Sequence, residues 1–184
     1  MALTESNMLE LGTLAPAFHL TDVVSGESIT MDDLQSDLGT IIMFWCNHCP
    51  YVLHVTDKVI EIAEKYMMKG FNFAAISSND VVRYPQDGPD KMRTLAEQKD
   101  YPFPYLFDET QNVAKDYNAA CTPDFYVFDR NLELVYRGQL DSSRPGNDKP
   151  LTGEDLINAL DALIMKAPID ARQRPSAGCN IKWR

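Results

Sequence analysis

From Leu38 to Trp45 the chain reads LGTIIMFW, nearly all apolar after Gly39. A strand with one wet face alternates polar and apolar side chains. A run that is apolar at almost every position is dry on both faces. Such a segment belongs at the centre of a sheet with further layers above and below it.

The period then changes. Val52, Val55, Val59, Ile62 and Tyr66 recur every three or four residues, and His54, Asp57, Lys58, Glu61 and Lys65 take the opposite side, as in an amphipathic helix that Gly70 ends. Phe71 to Ser77 (FNFAAIS) is the next strand. Upstream, residues 1–12 are expected to be a loose lead. Residues 14–35 read as a short strand, a turn at Ser25-Gly26, a second short strand and a one-turn helix. Downstream, Asp87-Gly88-Pro89 opens a helix carrying Met92, Leu95 and Ala96, with Pro89 in its first turn. Tyr101 to Phe107 holds a short strand and Glu109 to Tyr117 a short helix. Phe125–Phe128 and Leu132–Tyr136 flank a turn at Asp129-Arg130-Asn131. Residues 140–151 are a polar Pro/Gly loop. Thr152 is expected to cap a last helix, with Asp155 completing a weak capping box and Leu156, Ala159, Leu160 and Leu163 facing inward. The order predicts an α/β fold with a mixed central sheet flanked by helices. It forms one domain over 1–184, with a C-terminal tail from about residue 167.

The net charge of −10 disfavours binding to nucleic acid or to an anionic membrane. Arg172, Arg174, Lys182 and Arg184 form a basic end, expected to dock on the acidic body or to be solvated. MALTESNMLELG has acids and no apolar core run, so it is not a signal peptide, and no run is long enough to span a bilayer. The expected location is the cytoplasm, where thiols are kept reduced. Four cysteines in that setting point to buried, metal-binding or redox-active roles rather than to a structural disulfide framework.

Two of them stand in FWCNHCP, Phe44 to Pro50, with Cys46 directly after the buried strand and Cys49 at the start of the helix. A helix N-terminus offers unpaired N–H groups and the positive end of the dipole, which favour a thiolate. A lowered thiol pKa makes a cysteine both a nucleophile and a good leaving group, and a second thiol three residues on can resolve the mixed disulfide. His48, when protonated, adds positive charge beside Cys46. Two ordinary buried thiols fit this placement poorly. A zinc site needs four ligands, and Cys121 and Cys179 do not form a second CxxC. No metal and no organic cofactor is expected. In Ala120-Cys121-Thr122-Pro123-Asp124-Phe125, a proline sits just before a strand.

LGTLAPAFHLTDVVSGESITMDDL, FWCNHCP and CTPDFYVFDRNLELVYRG together resemble the thioredoxin-like superfamily, and more closely its redoxin branch. CNHCPY, YPQDGPDKM, TPDFYVFD and PSAGCNIKW resemble its thioredoxin/AhpC–TSA-like proteins, over residues 10–184. The resemblance implies a thioredoxin-like fold with an N-terminal redoxin-type hairpin. It implies Cys46 as attacking thiol, Cys49 as resolving thiol, and Pro123 as a cis-proline that leaves the Thr122 backbone open to an extended substrate. Trp45 would form part of a hydrophobic rim. Cys121 would lie near the site, as an exchanging third thiol or as a small space-filling side chain, and Cys179 would cover the site or simply pack. The peroxiredoxin motif Pro-x-x-x-Thr/Ser-x-x-Cys is not met: counting back from Cys46 gives Met43 and Gly39, and from Cys49 gives Cys46 and Ile42. Arg130 and Arg137 are expected to be solvated hairpin residues rather than peroxide clamps. The strand before the pair lacks the buried acid found in thioredoxin, which leaves His48 as the nearest proton-transfer group.

The expectation is therefore a thiol–disulfide oxidoreductase with Cys46, Cys49 and His48 in catalysis and Trp45, Thr122 and Pro123 at the substrate. It acts on a protein or small-molecule disulfide, with a thiol electron donor, as a monomer or weak homodimer. The rival readings are a peroxiredoxin-like thiol peroxidase and a non-enzymatic redox-sensing or binding module.

Overall fold

The computed structural model describes residues 3–184; the first two residues of the lead expected over 1–12 lie outside the described residues. In chain order the strands are β1 (Leu3–Glu5), β2 (His19–Asp22), β3 (Ser28–Thr30), β4 (Gly39–Phe44), β5 (Phe71–Ser77), β6 (Tyr105–Phe107), β7 (Cys121–Thr122), β8 (Asp124–Phe128), β9 (Leu134–Gly138) and β10 (Ala177–Asn180). The helices are α1 (Pro50–Met67), α2 (Pro89–Gln98), α3 (Asn112–Asp116) and α4 (Glu154–Met165). No helix among the described residues is long and apolar enough to cross a membrane.

The main sheet has seven strands in the order β3-β2-β6-β5-β4-β8-β9. β4 lies inside it, parallel to β5 and antiparallel to β8, and all of its residues are buried. Ile41 and Met43, followed by Trp45, pack in one core with α1, α2 and α4. Ile42 and Phe44 pack in the other with Leu34, Tyr117 and Phe128. The unbroken apolar run is thus the signature of a strand dry on both faces, each fully buried aliphatic side chain stabilising the fold by about 1.5–3 kcal/mol. The fold is a mixed α/β sheet flanked by helices. The expected hairpin is β2–β3, with Gly26 in the left-handed conformation at its turn (φ +77°).

Three expectations are corrected. Thr152 does not cap α4. Gly153 takes that position, and the Asp141 carboxylate accepts the Thr152 and Gly153 N–H groups at 2.7 and 2.6 Å, while Asp155 accepts from Gln139. Locally the Thr152 hydroxyl accepts only the Glu154 N–H, at 3.3 Å; the Asp155 and Leu156 N–H groups reach the Leu140 carbonyl, so most of the helix start is satisfied from a distant loop. The lead is not loose: β1 pairs antiparallel with β10, which pairs antiparallel with β7, making a separate three-stranded sheet. Arg137 is not solvated. The basic tail docks on the body, one of the two outcomes expected: Lys182 is buried, its Nζ bonded to Asn180 and lying 5.7 Å from the Tyr84 ring centroid, and Arg184 lies 3.9 Å from Glu109.

Arg137 is fully buried beside the equally buried Asp124, 3.6 Å away, with its guanidinium over the Tyr126 ring. Ser6, just after β1, donates to the same carboxylate at 2.8 Å, and Tyr126 donates at 3.1 Å. The lead thus seals this end of the sheet and takes Arg137 out of water. Arg130 stays exposed.

Burial pushes the Asp124 carboxyl up to about 6, against the opposing pull of Arg137. A carboxyl raised in the folded state binds its proton more tightly there than in the unfolded chain. Its stabilising contribution is complete below the unfolded value of 3.8 and is lost as the pH rises through about 6. Urea unfolding of the wild type and Asp124→Asn should show the wild type's advantage shrinking between those two pH values. A pH-independent difference would contradict it.

Candidate active site

β4 delivers the chain to Trp45 and Cys46, and a turn through Asn47-His48 leads into α1. Cys49 is the N-cap of that helix and Pro50 follows in its first turn, where the missing N–H costs nothing. Opposite lies the Thr122–Pro123 peptide bond, which is cis. The Cys46 sulfur is 3.4 Å from the Thr122 hydroxyl, and the Cys49 thiol reaches the Thr122 carbonyl at 3.3 Å. No two cysteines form a disulfide. Cys46 and Cys49 hydrogen-bond each other and are almost completely buried, at 1% and 0% exposure.

That hydrogen bond divides the pair. The bond to Cys49 raises the Cys46 thiol well above the usual range, and burial and the Asp87 charge raise it further. Receiving that bond draws Cys49 down to about 5; the thiol of Cys179 and the backbone N–H groups of Val52 and Cys179 help, while burial opposes. Cys49 is thus the more readily ionised of the two sulfurs. The negative charge rests at the helix N-terminus, where the dipole favours it.

His48 stacks on Tyr84, with ring centroids 5.7 Å apart, and its Nδ1 lies 2.6 Å from Asp87. The imidazole is thus held against a buried carboxylate. Asp87 also accepts the Asn47 N–H at 2.9 Å and the Asn79 amide at 2.8 Å. The strand before the pair carries no acid, as its sequence requires. Asp87 brings one from the segment before α2, where its sequence context announces only a helix start. Tyr105 donates to the Asn47 side chain at 3.0 Å and holds the turn from the other side. One ligand atom each from Cys46, His48 and Asp87 lies within 4.8 Å of the others.

Trp45 points into the core, 1% exposed, with its indole N–H directed at the Tyr101 hydroxyl and its ring edge-on to Phe125. Cys121 is buried and faces the Pro123 and Ser176 carbonyls, not the pair, and burial raises its thiol. The Thr122 backbone is not open: Cys179 of β10 is its register partner. Cys179 also brings its sulfur to 2.7 Å from that of Cys49. Of the two places expected for Cys179, covering the site or simply packing, the structure has the first. The hollow beside Pro123, lined by Tyr51, His54, Ser143, Arg144 and Ala177, has room of only about 10 Å³, too little to hold more than a single water.

Thiolate ultraviolet absorbance of the reduced protein should therefore rise in two separated steps, the first near pH 5. Asp87→Asn removes a charge that raises Cys46, so it should lower the upper step. Two thiols titrating together near the ordinary value of about 8.5 would contradict the split.

The AhpC/TSA family profile matches residues 11–137. No curated protein matches the chain. Among solved structures, an uncharacterized conserved protein from Geobacillus kaustophilus is 55% identical, covering 100% of this chain and 97% of its own, with a TM-score of 0.99. A hypothetical protein from Sinorhizobium meliloti is 40% identical over 98% of both chains, with a TM-score of 0.95. The thioredoxin domain of a thiol-disulfide oxidoreductase from Bacteroides vulgatus is 18% identical, covering 74% of this chain and 91% of its own, at a TM-score of 0.61, and shares the fold. A mixed sheet with a cis-proline facing a cysteine at the first long helix is the arrangement of the thioredoxin-like redoxins, and this chain belongs to the AhpC/TSA family.

Proposed function

We propose that this protein is a thiol–disulfide oxidoreductase working through Cys46 and Cys49. The observation that carries the reading is the placement of the pair: Cys46 and Cys49 face the cis Thr122–Pro123 bond, with the Cys46 sulfur 3.4 Å from the Thr122 hydroxyl and the Cys49 sulfur 3.3 Å from the Thr122 carbonyl oxygen. As Cys46 attacks a disulfide, its proton passes to the Cys49 thiolate. The Cys46 sulfur bonds to one substrate sulfur, and the substrate disulfide breaks with its electron pair leaving on the other sulfur, which takes up the proton from Cys49. The Cys49 thiolate then attacks Cys46, forms the Cys46–Cys49 bond and expels the second substrate thiolate. A dithiol donor resets the pair by the reverse exchange. Both sulfurs are buried, so a substrate needs the cover over the site to give way first.

A second reading, a thiol peroxidase, draws on the family match and on the Thr122 hydroxyl 3.4 Å from Cys46, which stands in space where the sequence motif lacks one. In that case Cys46 attacks hydrogen peroxide, hydroxide leaves, and Cys49 displaces water from the sulfenic acid to close the same disulfide. Arg137, bound to Asp124, is not at that sulfur.

The test is steady-state reduction of a peptide disulfide and of hydrogen peroxide, each with dithiothreitol as donor. The expected result is turnover of the disulfide that falls to background in Cys46→Ser, with slower consumption of peroxide. Faster turnover of peroxide would favour the second reading. A reversible disulfide without turnover of either substrate would favour a redox-sensing module. Stoichiometric zinc in the purified protein, lost in Cys46→Ser and in Asp87→Asn, would overturn the exchange reading.

A further inference from the structure

The tail does more than fill space beside the pair. β10 lies antiparallel to β7 with Cys179 opposite Thr122 and Asn180 opposite Cys121. It therefore occupies the backbone edge that precedes the cis-proline. This approach is built in at Gly178: a Cβ there would stand 2.0 Å from the Thr122 carbonyl oxygen and 2.8 Å from its carbon. Only a residue without a side chain lets the strand sit so close.

The strand is anchored along its length. Ser176 donates to the Pro123 carbonyl at 2.5 Å, and β1 pairs along the other edge, Leu3 opposite Cys179. The Lys182 N–H reaches the Asn79 side chain at 2.8 Å, and that same Asn79 holds Asp87. These contacts bring the Cys179 sulfur to 2.7 Å from that of Cys49. Ordinary non-bonded packing leaves heavy atoms roughly 3.5–4.0 Å apart. A cysteine used only to fill space does not require a second sulfur inside that distance.

We propose that Cys179 is a third redox thiol, exchanging with Cys49, and that β10 is a substrate-like strand carried by the protein itself. The proposal rests on the reading of Cys46 and Cys49 as the exchange pair. Starting from the Cys46–Cys49 disulfide, the Cys179 thiolate attacks the Cys49 sulfur. The Cys49–Cys179 bond forms and the Cys46–Cys49 bond breaks, its electron pair leaving on Cys46. The proton given up by Cys179 ends on Cys46. One disulfide replaces another, so no oxidant or reductant is consumed. The product has a reduced Cys46 beside a tail bonded across the site.

The full-length Cys46→Ser protein, reduced and then exposed to oxidised glutathione, reports on this exchange. It is quenched in acid, its remaining thiols are alkylated, and its linkages are mapped by mass spectrometry. Glutathione on Cys49 should be displaced by Cys179, leaving a Cys49–Cys179 disulfide in most molecules. The Cys46→Ala protein, treated alike, gives the same linkage and guards against a folding effect of serine. Adding Gly178→Ala keeps both thiols but shifts the strand, and should slow the linkage by about 10- to 100-fold. Stable glutathionylation of Cys49 with Cys179 still reduced, in both the serine and the alanine variant, overturns the proposal. The wild type is mapped in the same series: its Cys46–Cys49 disulfide tests the exchange pair, whereas the Cys49–Cys179 result in the variants does not depend on Cys46.

Discussion

Burial of β4 on both faces is the constraint on which the remaining structure depends. A strand with no wet side must have layers on both sides of the sheet and partners along both edges. The chain meets this with α1, α2 and α4 packed in one core, α3 and the short turns in the other, and β5 and β8 alongside. Because β4 is fixed from every direction, the residues that leave its end are fixed as well. Cys46 is presented at a rigid point, and the return of β8 beside β4 brings Thr122 and Pro123 to face it.

The site then follows from a shortage of water. Two thiols and a carboxylate are buried together with a half-buried imidazole beside them, so the thiols answer to each other and to the Asp87 charge. Asp87 illustrates this: its oxygens are occupied by Asn47, Asn79 and His48, and its charge acts on Cys46. Asn79 links the same carboxylate to the backbone of Lys182, so the acid, the turn and the tail form one connected network. A network of this kind holds its geometry only while every member is satisfied.

Legibility in the sequence tracked the range of the interaction. β4, α1, the β2–β3 hairpin and the place of the CxxC are written in local periods and turn residues, and the structure has them where the patterns put them. Arg137 looked like an ordinary hairpin arginine, because nothing near it announces Asp124 or the covering Ser6. Asp87 read as a helix start for the same reason. The start of α4 was misplaced because its partner, Asp141, lies outside the helix's own first turn. β1 and β10 are too short to show a period, and each is held by strands far from it in sequence. Cys179 was left between covering the site and simply packing, because no local pattern says which element the tail will pair with.

The pairing of Leu3 with Cys179 sets an order of assembly. Closing a loop that spans almost the whole chain carries an entropic penalty that grows with the logarithm of its length. The contacts of β4, β5 and α1 are far more local, so they form without waiting for the tail. During synthesis, Cys46 and Cys49 emerge long before residues 177–180. A growing chain therefore presents its two thiols uncovered, and only the later β10 places a third sulfur against them. The finished site is in this sense a mark that residues 177–180 have been made and have docked, written by the topology of the smaller sheet.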